Sequence, residues 1–286
     1  MKIGINMMAT AQAADVTAVA RKAEALGFES LWLPEHPILP VHYTSRYPFS
    51  EDGVIPEIFG QFVDPLIGLS FAAAVTTKLK LATGICLIPE RDPIVTAKAV
   101  ATLDHYSNGR VLFGIGAGWL PEETEIMGAQ FATRWARTKE SILAMKALWK
   151  IGQAEYHGKF IDFPAVKVYP QPKQKPHPPV LLGGHGDIAL KRVVTWCEGW
   201  FPFQLSPEVL KGEIQKLRRL AEEAGRDPDS IDVSLSWLGN ASDLDTLKRY
   251  RDAGIHRLVC LLPVADPTDY SQGLERLAEQ TIGKVG

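Results

Sequence analysis

The sequence is poor in the features that mark several large classes of protein. Cysteine is scarce: Cys86, Cys197 and Cys260 are the only three in 286 residues, and they lie far apart. They form neither a disulfide framework nor a CxxC metal knuckle. Core filling is their ordinary role, and a reducing cytoplasm is the expected location. Net charge is also small, 31 basic against 33 acidic side chains for a total of -2. With no basic stripe, nucleic acid is not an expected partner. No apolar run approaches the roughly 20 residues of a membrane span, and MKIGINMMAT lacks the long apolar core of a secretory signal. The seven histidines include no HxH and no HExxH, and no carboxylate–histidine cluster shows ligand spacing. A bound metal is therefore not expected, and a metal-dependent hydrolase is disfavoured.

What the chain does have is alternation. Short, uniformly apolar runs read as buried parallel strands: Ile3–Met7, Ser30–Leu33, Leu79–Thr83, Val111–Gly114, Val180–Leu182, Gly199–Phe203, Ile231–Ser236 and Arg257–Leu262. Helical patterns lie between and after them. Asp15 opens the first and Gly27 stops it; Pro65, Pro93, Thr133, Asp187, the Ser206-Pro207 pair, Asp243 and Pro267 open the others. Eight strands each followed by a helix predict an α/β fold, a (β/α)8 TIM barrel formed by residues 1–286 as one domain, since about 250 residues is typical of such barrels. The alternative is an open doubly wound sheet. Two loops exceed what a bare barrel needs. One, from Pro34 to about Asp64, carries Tyr43, Arg46, Tyr47, Phe49 and Phe59; the other, from about Gln153 to Pro178, begins as a hairpin around YHGKFIDF and continues as a proline-stiffened segment.

In a barrel the chemistry sits where strands end, so strand ends become candidate site residues. Asn6 ends the first. LWLPEHPIL (31–39) ends the second and places Glu35 and His36 between two prolines, on backbone that cannot be regular. An imidazole titrates near neutrality, so His36 at the barrel mouth could exchange a proton with a ligand; a hydrogen-bonded structural histidine is the competing reading. Glu35 could orient His36, or pair with Arg46 or Arg91. The third, fourth and fifth strands end in ATGICLIP, GIGAGW and GGHGD. Small residues there would let a flat ligand approach bare backbone. In LLGGHGD, glycines precede a helix N-terminus, whose free amides and positive dipole end suit a phosphate, although glycines also make tight turns without ligands and Asp187 could occupy those amides itself. GIGAGW is neither a Walker loop nor a dinucleotide fingerprint.

ESLWLPEH, LKLATGICLIPERDPIVTAKAVATLDHYSNGRVLFGIGAGW, RWARTKESILAMKALW, YHGKFIDF and PPVLLGGHGDIALKRVVTWCEGWFP together cover most of residues 1–205. On these segments the chain resembles the bacterial-luciferase-like superfamily, and within it the branch that uses an 8-hydroxy-5-deazaflavin, coenzyme F-420, in place of FMN. The resemblance implies an insertion after the fourth strand and a homodimer. It implies a tricyclic ring across the barrel mouth, backed at Thr83, Gly84 and Ile85 by a non-prolyl cis peptide at Gly84-Ile85. Gly116 and Gly118 would lie beside the ring, and the phosphate on Gly183, Gly184, His185 and Gly186. His36, with Glu35 beside it, would be the catalytic group while hydride moves to or from the deazaflavin. Relatives that oxidise glucose 6-phosphate carry a glutamate after the fourth strand where this chain has Trp119, which argues against that sugar phosphate. Asn6, Trp119, Tyr43 and Phe203 would form a pocket for a bulkier, less polar substrate. The alternatives are an FMN-dependent monooxygenase supplied with reduced flavin by a partner reductase, and a cofactor-binding protein without turnover.

Overall fold

The computed structural model describes residues 1–262 and 269–285. Among these, eight parallel strands form a closed barrel: β1 Lys2–Met7, β2 Ser30–Leu33, β3 Lys80–Thr83, β4 Val111–Gly116, β5 Val180–Gly183, β6 Gly199–Phe201, β7 Asp232–Trp237 and β8 Arg257–Leu262. The order runs β3-β2-β1-β8-β7-β6-β5-β4, and β4 pairs back to β3 to close the ring. The open doubly wound sheet is thereby ruled out. Eight helices surround the barrel: α1 Val16–Leu26, α2 Pro65–Val75, α3 Pro93–Tyr106, α4 Arg134–Ile151, α5 Gly186–Trp196, α6 Pro207–Glu223, α7 Leu244–Asp252 and α8 Tyr270–Thr281. The expected start of the last helix at Pro267 falls outside the described residues. No described helix is long and apolar enough to cross a membrane.

Local chemistry accounts for these boundaries. Asp15, Asp64, Asp92 and Asp243 each accept a hydrogen bond from an amide in the first turn of their helix, satisfying donors that have no intrahelical partner. Gly27, at φ 90°, ends α1 in the left-handed conformation that glycine adopts without a Cβ clash. In β2, Leu31 and Leu33 pack in the core between barrel and helices, while Trp32 points the other way. Trp32 stacks on Phe201 at 4.3 Å between centroids, in an inner cluster with Ala82, Leu112, Leu181 and Val259. That cluster fills the barrel interior beneath the mouth. Its indole N–H, which would be costly to bury unpaired, donates to Ser30 Oγ at 2.8 Å.

The insertion after β4 is present. It holds a short helix (Pro121–Ile126), α4 and an antiparallel hairpin of Gln153–His157 with Asp162–Lys167. A two-residue strand, Cys86–Leu87, extends the sheet beyond β3 by pairing with β4; nothing in its composition distinguished it from a loop. β4 runs two residues longer than expected, to Gly116, because Gly116 pairs with Leu87. Phe203 lies beyond β6 but keeps a single bridge to Ser236.

Candidate active site

The C-terminal ends of the strands surround a cavity of about 390 Å³. One part of its wall is bare backbone: Gly84, Gly116, Gly118, Gly183 and Gly184 all line it, with Ile85 and Phe201. The peptide Gly84-Ile85 is cis, as the resemblance implied. The packing explains the glycines. A Cβ on Gly116 would fall 2.1 Å from Ile85 Cδ1, and one on Gly84 would lie 3.3 Å from Trp32. Asn6 lines the same cavity, and its buried Oδ1 has no hydrogen-bond partner among the described residues. A buried orphan acceptor is costly, so this atom is suited to a donor on a ligand.

The rest of the wall is aromatic. The 34–64 loop contributes Tyr47, Phe49, Phe59 and Phe62, which meet Trp119 and Phe203. Phe59 stacks on the His36 ring at 4.9 Å and 14°, and Trp119 meets it edge-on at 6.3 Å. Tyr47 packs against both Phe59 and Trp119, and Phe49 against Phe203. The loop is pinned by Glu122, whose carboxylate accepts from the Thr44 amide at 2.8 Å, the Ser45 amide at 3.0 Å and the Ser45 hydroxyl at 2.8 Å. Partial burial pushes this carboxyl up, but those donors outweigh it and hold it down at about 2.

His36 is fixed by a residue that strand-end reasoning did not select. Its Nδ1 lies 2.7 Å from Oε2 of Glu123, which is fully buried. With the proton on Nδ1, His36 donates to Glu123, and Nε2 has no hydrogen bond among the described residues. The sequence signal was weak: Glu123 is the second of two acids opening a six-residue helix, 87 residues from His36.

Several expected site residues stand elsewhere. Glu35 lines the cavity but is not paired with His36. Its Oε2 accepts from the Leu87 amide at 2.6 Å and its Oε1 from Arg91, which also grips Asp64 at 2.6 Å. Of the two expected arginine partners, Arg91 is the observed one; Arg46 instead donates to the carbonyls of Glu51 and Asp52. Glu35 thus ties the end of β2 to segment 86–91, the strap that follows β3. Thr83 turns inward, its hydroxyl donating to the Gly114 carbonyl at 2.6 Å, so it backs the site without lining it. Tyr43 also stays outside, with the Ile55 amide donating to its hydroxyl oxygen at 3.4 Å; Tyr47 and Phe49 take the place expected of it.

His185 and Gly186 lie outside the cavity, on the exposed turn that leads from Gly184 into α5. Gly184 and Gly186 have φ of 131° and 77°, and a Cβ on Gly186 would meet nothing within 4 Å. No side chain among the described residues caps α5. Asp187, expected as its opening residue, lies inside the first turn and pairs with Lys216 at 2.5 Å. The amides at this helix start therefore have no side-chain cap among the described residues, next to the glycine wall.

The luciferase-like monooxygenase family model matches residues 1–239, and the chain belongs to that family. It is 32% identical over 282 residues to the uncharacterized protein Rv0953c of Mycobacterium tuberculosis, covering 97% of this chain and 98% of the other. The 5,10-methylenetetrahydromethanopterin reductase of Methanopyrus kandleri is 28% identical over 252 residues, covering 82% of this chain and 64% of that one. The solved structure of the coenzyme F-420-dependent tetrahydromethanopterin reductase from the same organism superposes with a TM-score of 0.75 over 100% of this chain and 99% of the other, at 20% identity. An FMNH2-dependent dimethylsulfone monooxygenase of Pseudomonas putida is 30% identical over 155 residues, 53% of this chain and 42% of the other. Relatives thus include both deazaflavin and FMN enzymes, and the family is one of oxidoreductases and monooxygenases.

Proposed function

We propose that this protein is an oxidoreductase that moves a hydride between coenzyme F-420 and a neutral, largely apolar organic substrate. The observation that carries this is one cavity that combines a glycine-lined wall with an anchored histidine. The residues present fit such a cofactor. Bare backbone at Gly84, Gly116, Gly118 and Gly183 admits a flat ring, the orphan Asn6 oxygen offers an acceptor, and the uncapped amides after Gly184 suit a phosphate. When bound, the deazaflavin supplies the hydride chemistry. The M. kandleri reductase matches over more of the chain than the FMN-dependent monooxygenase does, 82% against 53%, which favours the deazaflavin.

The protein's own part is position and proton handling. Glu123 fixes the tautomer and orientation of His36, whose Nε2 is left to exchange a proton with the substrate as hydride moves. Tyr47, Phe49, Phe59, Trp119 and Phe203 exclude water from that exchange and select against charged substrates. The test is binding of each reduced cofactor to the cofactor-free protein by difference spectroscopy. Micromolar binding of the deazaflavin is expected; micromolar binding of FMN with none of the deazaflavin would move the protein to the monooxygenase branch. His36→Ala should keep cofactor binding and lose turnover, and an unchanged turnover would remove the role given to His36.

A further inference from the structure

Behind His36 lies a second carboxyl that the hydride chemistry does not use. Glu90 is buried, 5% exposed, at the end of the strap after β3. Its Oε1 lies 3.0 Å from the Thr124 hydroxyl, which is also 3.1 Å from the Leu120 carbonyl. Its Oε2 is buried without a partner, and so is Oε1 of Glu123, whose other oxygen holds His36. Gly118, at φ 76°, lies directly over this group: a Cβ there would be 3.1 Å from Glu90 Oε1 and 3.3 Å from Thr124 Oγ1. The glycine that lines the cavity thus separates it from Glu90 by backbone alone.

Two buried carboxylates that, among the described residues, have one unpartnered oxygen each and no ion pair with a lysine or arginine are an unfavourable arrangement. The charged and titratable groups that act on Glu90 are Glu123 from the short helix, Glu35 from the end of β2 and Arg91 beside it in the chain. Arg91 is committed to Glu35 and Asp64. Retaining a single proton relieves the conflict, and Glu90, with only a shared hydroxyl for support, is the group to keep it.

We propose that Glu90 is a neutral carboxylic acid in the resting enzyme, and that its ionisation sets whether one or two negative charges stand behind the His36 imidazole. Glu90 is a positioning residue: no proton passes through it to the substrate. Burial first, and then the charge of Glu123, push its carboxyl up to about 8. Ionisation of Glu90 sets a second negative charge beside Glu123, the carboxylate that holds His36, so kcat should change across that pH. The kinetic consequence rests on the role proposed for His36; the protonation of Glu90 does not.

The decisive experiment uses cofactor-free protein, so that it separates from the cofactor assignment. Infrared difference spectra across the pH range should show a protonated-carboxyl carbonyl band that disappears with a midpoint near 8. The band should be missing in Glu90→Gln, and in Glu123→Gln its midpoint should fall, because a neighbouring charge is gone. A band absent at neutral pH, titrating as an ordinary carboxyl, or unmoved by Glu123→Gln overturns the proposal. In turnover, Glu90→Gln should remove the change in kcat centred near 8, with KM little changed. A uniform loss of rate at every pH, with the limb near pH 8 intact, would show a merely structural residue and also overturn it.

Discussion

At the opposite end of the barrel from the cavity, Arg257 carries a stability prediction that can be worked through. It is the first residue of β8, 1% exposed, and joins the starts of several strands. It donates to both oxygens of Glu29, just before β2, at 2.6 and 2.9 Å, and to Asp232, the first residue of β7, at 3.2 Å. It also donates to Ser234 at 2.5 Å, and its guanidinium lies 5.9 Å from the Trp32 ring centroid. Lys2 and Lys80, opening β1 and β3, stand 4.0 Å from Glu29. Arg257→Ala leaves two carboxylates without their principal cation. Breaking a buried pair in this way costs about 3–5 kcal/mol, against a typical total of about 5–15 kcal/mol. At about 2–4 °C per kcal/mol, the melting temperature should fall by roughly 6–20 °C. Burial pushes Glu29 up, but the hydrogen bonds and charge of Arg257 outweigh it and leave the folded value below the ordinary one. Its stabilisation is therefore fully present above the unfolded carboxylate value and is lost as pH falls through the lower folded value. Urea unfolding followed by circular dichroism should show that acid loss in the wild type and a smaller one in the variant. A cost under about 1 kcal/mol, the scale of an exposed pair, or an unchanged acid slope would refute the reasoning.

Other consequences are equally direct. His36→Ala should leave the melting temperature near that of the wild type while turnover drops by about 10²-fold or more, measured with whichever reduced cofactor binds. Glu122→Ala removes the clasp on Thr44 and Ser45, so limited proteolysis should cut the 34–64 loop faster and KM for substrate should rise. Because the Glu122 carboxyl is depressed to about 2, the clasp is complete above the ordinary carboxylate range and opens only as pH falls towards that value; wild-type protease resistance should hold down to about pH 4. Gly186→Ala has open space for its methyl but a φ of 77°. It should cost about 1 kcal/mol of stability and weaken binding of the cofactor more than that of a phosphate-free analogue, read by fluorescence titration.

The barrel was legible because its signals are local. Apolar runs of strand length, capping side chains before several helices and prolines in first turns lie within a few residues of what they specify, and the alternation closes at eight. Glycine rims were legible for the same reason: a missing Cβ is a property of one position, and Gly84, Gly116, Gly118, Gly183 and Gly184 all reach the cavity. What the sequence could not supply was partnership between distant side chains. Adjacency made Glu35 the natural companion of His36, yet consecutive residues on irregular backbone point apart. Glu35 turns to Arg91 and the Leu87 amide, while the carboxylate that reaches His36 comes from 87 residues away. Tyr43 was the expected cavity tyrosine, and only the path of the loop, pinned by Glu122, brings Tyr47 inward in its place. Glu90 gave no signal at all, since an acid between a proline and an arginine reads as a solvated turn. Its burial follows from the insertion folding back over the strap after β3, a contact between segments that no periodicity encodes. The protonation chemistry of this site thus depends on the one level of structure, side-chain pairing across the insertion, that a single sequence leaves open.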